Sequence, residues 1–146
     1  MMDKTRILFL CTGNSCRSQM AEGWARNLLP PDYEAFSAGI EAHGLNPSAV
    51  RVMREAGIDI SQQQSQTLNE LEQKHFDFII TVCDHAHRTC PTPEQGQIIL
   101  KRFDDPPRLT ESVTTEEESL EIYRRVRDEI RIWVNQLPSQ IKQANN

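Results

Sequence analysis

Cys11 and Arg17 are separated by Thr12, Gly13, Asn14, Ser15 and Cys16, a run of small and polar residues between an apolar stretch and a helical pattern. A loop of that length closing onto a helix N-terminus turns successive backbone N–H groups inward, and a guanidinium at its end adds a bidentate clamp for a tetrahedral oxyanion. Cys11 is then a nucleophile, because the same positive field favours its thiolate. Gly13 is expected to relax the backbone for the curl. Ser18 supplies a hydroxyl within reach of the sulfur. Residues 12–18 form the expected oxyanion-binding set, with Cys16 contributing backbone and its thiol a bystander. A cysteine that merely filled space at a strand end would leave the Gly, Asn, Ser and Arg at this spacing unexplained.

Further residues capable of chemistry follow. The four cysteines are Cys11, Cys16, Cys83 and Cys90, and in a reducing compartment they are free, catalytic or metal-bound rather than a disulfide framework. Cys83, His85, His87 and Cys90 supply four possible zinc ligands in a short stretch, although structural zinc sites usually take two ligand pairs from separate segments. No metal and no bound cofactor are expected. Asp105, which precedes Pro106, is either a turn cap, as Asp-Pro pairs often are, or a carboxylic acid able to protonate a leaving oxygen.

The elements that must position these groups are legible from periodicity. Residues 6–10 read as a strand feeding the loop, residues 18–29 as a helix stopped by Pro30-Pro31, and residues 33–37 as a second strand. Asn46-Pro47 offers an N-cap with proline at the first helical position, and Gly57 ends that helix. A weaker helix is expected over 68–74. Residues 76–82 are nearly all apolar, as a central parallel strand requires, and a shorter strand covers 98–100. A proline-containing loop spans 104–107. Thr115 and Glu118 stand at capping-box spacing before a last helix whose buried stripe is Leu120, Tyr123, Val126, Ile130, Trp133 and Leu137. Strands alternating with helices imply a doubly wound α/β fold, a four-stranded parallel sheet in the order 2-1-3-4, with its ligand site above strand 1. The 146 residues suit one catalytic domain, with a polar tail after Pro138 that is expected to fray.

Composition narrows the partners. A formal net charge of -5 argues against nucleic acid, whose binding relies on clustered Lys and Arg. No apolar run approaches the ~18 residues of a membrane span, and the first apolar run is too short for a signal peptide. A cytoplasmic protein is expected. An acidic chain can hold an anion only by local means, which returns the search to the loop after Cys11.

That loop and its surroundings resemble a known family. Cys11-Thr12-Gly13-Asn14-Ser15-Cys16-Arg17-Ser18 continuing as Gln19-Met20-Ala21-Glu22-Gly23, together with Ser37-Ala38-Gly39-Ile40-Glu41, His43-Gly44 with Asn46-Pro47, Thr81-Val82-Cys83-Asp84 and Phe103-Asp104-Asp105-Pro106, is similar to the low-molecular-weight phosphatase superfamily, and specifically to its arsenate reductases. The resemblance implies reduction of arsenate to arsenite, with phosphate and sulfate as competing anions and Asp105 as the general acid. A phosphatase shares the first step and then hydrolyses the adduct with water, so it remains the alternative, with a zinc-binding protein more remote. A reductase needs a thiol able to reach Cys11. Cys83 is expected at the tip of the third strand, beside strand 1, and strands ~4.8 Å apart bring tip thiols within the ~4.4–6.8 Å Cα range of disulfides. Cys90 can then relieve Cys83, and an external thiol system, expected to be thioredoxin, restores the pair. A continuous helix over 83–90 would hold those two Cα atoms ~10 Å apart, so the segment must loop or unwind when oxidised. Gln64 and Gln66 stand where some family members help to bind potassium, which makes such a site doubtful here, and residues 108–114 look longer than usual.

Overall fold

The computed structural model describes residues 4–72, 75–82 and 96–144, with side chains described as far as Ile141. Along the chain run β1 (Thr5–Cys11), α1 (Arg17–Leu28), β2 (Tyr33–Gly39), α2 (Pro47–Glu55), a 3₁₀ turn (Leu68–Glu70), β3 (Phe78–Thr81), β4 (Gln97–Leu100), α3 (Pro106–Leu109) and α4 (Glu116–Ala144). The strands are parallel and ordered β2-β1-β3-β4, the predicted topology. Cys11 stands opposite Gly39 at the end of β1, and the Val82 N–H reaches the Leu10 carbonyl at 3.0 Å from the other side. The end of β1 therefore lies where the chain reverses its direction of winding, the usual ligand position of such sheets.

Burial explains why β1 is central. Ile7, Leu8, Phe9 and Leu10 are all but sealed from solvent, so both faces of the strand are covered, and each such side chain contributes roughly 1.5–3 kcal/mol on leaving water. The bond from Ser37 Oγ to Glu22 Oε1, at 2.6 Å, turns the face of Ser37 and its register partner Phe9 toward α1. On the outer side of α1, Trp24 Nε1 donates to the Arg127 carbonyl of α4 at 3.1 Å. Asn46 caps α2 as its sequence promised, with Oδ1 accepting from the N–H groups of Ser48 and Ala49. Gly57 at φ 88 ends that helix, in a conformation where a side chain would be strained.

Several boundaries depart from expectation. Instead of a helix over 68–74 there is one 3₁₀ turn, because Thr67 and Glu70 close a capping box and Leu71 then turns extended and buried. β3 is shorter than 76–82, and only Phe78 to Thr81 share the ladder with both neighbours. The stretch 104–107 is not simply a loop, since Pro106 at the first helical position starts the single-turn α3. The last helix does not fray at Pro138 but continues to Ala144. Proline forfeits one hydrogen bond there, and the burial of Leu137 and Ile141 against the core offsets that loss. The predicted stripe of this helix is buried throughout, extended by Val134 and Ile141. Among the described residues, no helix is long and apolar enough to cross a membrane.

The stripe carries a stability forecast. Ile130 is fully buried and Ile132, two residues on, is 60% exposed. Ile130→Ala is expected to cost about 2–5 kcal/mol, whereas Ile132→Ala should stay within about 0.5 kcal/mol of the parent. Urea denaturation midpoints of the two variants check the contrast.

Candidate active site

The loop after β1 is held by its carbonyls. Those of Cys11, Thr12, Gly13 and Ser15 accept from the N–H groups of Ile40, Glu41, His43 and Asn46 at 2.9–3.2 Å. In a trans peptide the N–H points opposite to the C=O. Tying the carbonyls of Thr12, Gly13 and Ser15 to the outer segment therefore turns the N–H groups of Gly13, Asn14 and Cys16 toward the inside of the curl. The segment 40–46 thus acts as the outer brace of an anion cradle, and α1 begins at its far end with Arg17.

The left-handed turn that bends the loop falls on Asn14, at φ 48, not on Gly13 as its glycine suggested. Asn14 is fully buried and its side chain is held through both its oxygen and its nitrogen. Its Nδ2 donates to Ser18 Oγ at 2.9 Å, while Oδ1 accepts from the Gln66 backbone N–H at 2.8 Å and from Gln19 Nε2 at 3.1 Å. Gln19 Nε2 also lies 3.0 Å from the Asn14 and Gln64 carbonyls, and Gln63 Nε2 donates to Gln19 Oε1 at 2.8 Å. Gly13 serves close approach instead, since a Cβ there would stand 2.4 Å from His43 Nδ1. Gly39 has the same reason, with the Glu41 carbonyl 2.5 Å from where its Cβ would lie. The Gln66 backbone secures Asn14 and the Gln64 carbonyl holds Gln19, while the Gln66 side chain donates to the Ser37 carbonyl at 3.3 Å.

Cys11 is buried, with Sγ 2.9 Å from Ser18 Oγ, so the expected hydroxyl at the nucleophile is in place. Because Asn14 Nδ2 donates to the same hydroxyl, the Ser18 proton is free to point at sulfur. Arg17 leaves the cradle toward residues 103–105, with Nη1 donating to the Phe103 carbonyl at 3.1 Å and Nη2 3.6 Å from Asp105 Oδ1. Asp105 is the N-cap residue of α3, yet its carboxylate makes no capping hydrogen bond. The turn-cap explanation of this residue therefore loses its basis, and the carboxylate faces the loop's arginine. Asp104 turns away to Arg125 Nη2 at 3.1 Å.

The structure thus assembles Cys11, Thr12, Gly13, Asn14, Ser15, Cys16, Arg17, Ser18 and Asp105 in one place. Cys83 and Cys90, like His85 and His87, lie outside the described residues. Among the described residues, no three His, Cys, Asp or Glu side chains gather to hold a metal ion. Sequence reasoning missed Gln19, Gln63 and Phe103 as supports, because amide networks and backbone carbonyls leave no pattern in a sequence. His43 and Asn46 stood within recognisable blocks but carried no assigned role.

Cys11 and Cys16 are about equally buried, and burial weighs on the Cys16 thiol. It pushes the Cys16 pKa far up, and the opposing pull of Arg17 is smaller. Cys16 is therefore expected to resist iodoacetamide at neutral pH while Cys11 is alkylated and phosphate protects it. Peptide mapping after a short exposure decides this, and prior labelling of Cys16 would contradict it. Burial likewise raises the Glu22 carboxyl above its ordinary range, against hydrogen bonds from Ser37 and Arg26.

Comparison with known proteins agrees with this geometry. Residues 6–146 match the family described as Low molecular weight phosphotyrosine protein phosphatase. The chain is 50% identical to proteins named arsenate reductase from Halalkalibacterium halodurans and from Bacillus subtilis, in each case over 88% of this chain and 91% of the relative. A Staphylococcus aureus protein of the same name is 42% identical over 94% of this chain and 99% of its own. Among solved structures, an arsenate reductase in the phosphate binding state superimposes with a TM-score of 0.74 at 32% identity, covering 94% of this chain and 98% of that one. A low molecular weight protein tyrosine phosphatase from T. tengcongensis reaches 0.73 at 28% identity, covering 94% and 99%. With residues 6–146 matched by that family and half-identical relatives over most of its length, the chain belongs to the low molecular weight phosphotyrosine protein phosphatase family.

Proposed function

We propose that this protein reduces arsenate to arsenite, with Cys11 as nucleophile and Cys83 and Cys90 as the thiols that supply the electrons. The observation that carries the chemistry is the placement of Cys11 Sγ beside Ser18 in the cradle whose arginine faces Asp105. The half-identity over most of the chain to proteins named arsenate reductase favours reduction over ester hydrolysis.

Arsenate enters the curl with its oxygens on the inward N–H groups, and the Arg17 guanidinium turns from the Phe103 carbonyl and Asp105 to clamp it, a place for which phosphate or sulfate of the same shape would compete. The Cys11 thiolate attacks arsenic and one arsenate oxygen departs as water, taking a proton from Asp105. The Cys83 thiolate next attacks the Cys11 sulfur. As the S–S bond forms, the S–As bond breaks and its electron pair stays on arsenic, so As(V) becomes As(III) and arsenite leaves. Cys90 then attacks Cys83, releasing the Cys11 thiolate and leaving a Cys83 to Cys90 disulfide. An external dithiol of the thioredoxin type would reduce that bond. Val82, the last described residue before Cys83, is hydrogen-bonded to β1 at Leu10, which supports the reach of Cys83 toward Cys11.

Loss of the nucleophile should abolish turnover, so Cys11→Ser is expected to be folded but inactive. Asp105→Asn should lower turnover by about 10²–10⁴-fold, the usual scale for a general acid. Asp104→Asn should matter much less, and the reverse ranking in steady-state assays would move the acid to Asp104.

The order of thiols separates a reductase from a phosphatase. Cys90→Ser protein given arsenate without reductant should release about one arsenite per chain and trap a Cys11 to Cys83 disulfide, since no thiol remains to relieve Cys83. The parent should accumulate Cys83 to Cys90 instead. Peptide mapping that found neither bond, alongside steady hydrolysis of a phosphate ester, would sink the reductase reading in favour of the phosphatase.

A further inference from the structure

We propose that Arg125 is a positioning residue for Asp105, acting through Asp104; this rests on the reading of Asp105 as general acid. Asp105 sits between two constrained neighbours. Pro106 follows it and locks its own φ. Asp104 precedes it and is held by Arg125 Nη2 at 3.1 Å. The guanidinium is itself aimed, because its Nη1 donates to Glu129 Oε1 one helical turn further along α4 at 2.9 Å. The residue before that, Phe103, packs edge-on against Trp133 of the same helix with ring centroids 6.1 Å apart, and its carbonyl takes the Arg17 hydrogen bond. Two consecutive residues, Phe103 and Asp104, thus meet partners on α4, and the carboxylate that follows them lies 3.6 Å from Arg17.

Arg125 and Asp104 are both largely exposed, and a pair of this kind adds little to stability. Its geometric consequence is larger. With the Asp104 side chain tethered, the peptide that joins it to Asp105 loses freedom to rotate, and the Asp105 carboxylate keeps its direction toward the cradle. Without the tether the segment still packs through Phe103 and α3, but Asp105 is free to swing into solvent or onto Arg125 itself. A general acid must lie within hydrogen-bond reach of the departing oxygen, and small displacements of reacting groups are costly in rate.

The test is a double-mutant cycle read by single-turnover arsenite formation, with phosphate inhibition and thermal melting measured on each protein. Arg125→Met should slow arsenite formation by about 10-fold, within the ~10² that misplacement of a reacting group can cost. Phosphate inhibition and the melting temperature should stay near those of the parent, since the cradle is untouched. Arg125→Lys, which keeps the charge but not the fork, should fall between the two. Asp104→Ala cuts the same tether from the other side and should give a similar loss. In an Asp105→Asn background both losses should vanish, because nothing remains to be positioned. Full activity of Arg125→Met, or an equal fractional loss when Asp105 is already Asn, would overturn the proposal while leaving the acid in place. Parent-like activity of Asp105→Asn alone would overturn the acid and this proposal with it.

Discussion

Asn14 occupies the left-handed region at φ 48, at a cost smaller than the roughly 1–2 kcal/mol that most residues with a side chain incur there. That strain is sustained because hydrogen bonds converge on the side chain from α1 and from the segment before the 3₁₀ turn. Gln19 and Ser18 come from the first turns of the helix that the loop feeds, and Gln66 from a strand-like stretch that also touches Gly39. The loop is therefore not a flexible connection that an anion must organise. Its curl is held by the protein's own hydrogen bonds, and a preorganised ring of donors loses little on binding. Ser18 occupies a double position in this arrangement, receiving a proton from Asn14 and offering its own to Cys11.

Helix α4 governs the opposite side of the site from a greater distance in sequence. Tyr123 accepts from Asn46 Nδ2 at 3.1 Å, and Asn46 in turn braces the Ser15 carbonyl and caps α2. Trp133 supports Phe103, and Arg127 donates to the Val52 carbonyl near the end of α2. One long helix thus fixes the loop's outer brace and the segment bearing Asp105 at once. This explains why its apolar stripe must continue past Pro138: the polar contacts near its start are only as rigid as the seat provided by Val126, Ile130, Val134, Leu137 and Ile141.

Where the sequence was most legible, local chemistry and burial pointed the same way. The four strands and their order followed from apolar runs alternating with helical periods, and Asn46, Pro47 and Gly57 marked their helix because capping is local. The single-turn α3 and the collapse of 68–74 into one 3₁₀ turn were hidden, since short elements are decided by packing rather than by propensity. At the site, the residue types of the cradle were readable, but the division of labour within it was not. Gly13 suggested the positive φ that Asn14 adopts, because a sequence records glycine without recording whether torsion or the approach of another side chain, here His43, requires it.

Charge distribution gives the site its character. Many arginines are already engaged inside the protein: Arg124 with Glu55 and Glu117, Arg51 with Glu116, Arg26 with Glu22, Arg6 with Glu34. These pairs leave little positive field to reach into solvent, consistent with a chain whose acids outnumber its Lys and Arg. Attraction of an anion must then arise at contact, from inward N–H groups and from Arg17, whose side chain is only 14% exposed. Interactions at that range are weakly screened by salt, unlike those between exposed charges. They are also demanding of shape, because fixed amides and a planar fork reward an ion whose oxygens fall where the donors point. Selection by tetrahedral geometry, rather than by long-range steering, is the consequence of placing a backbone cradle in an acidic protein.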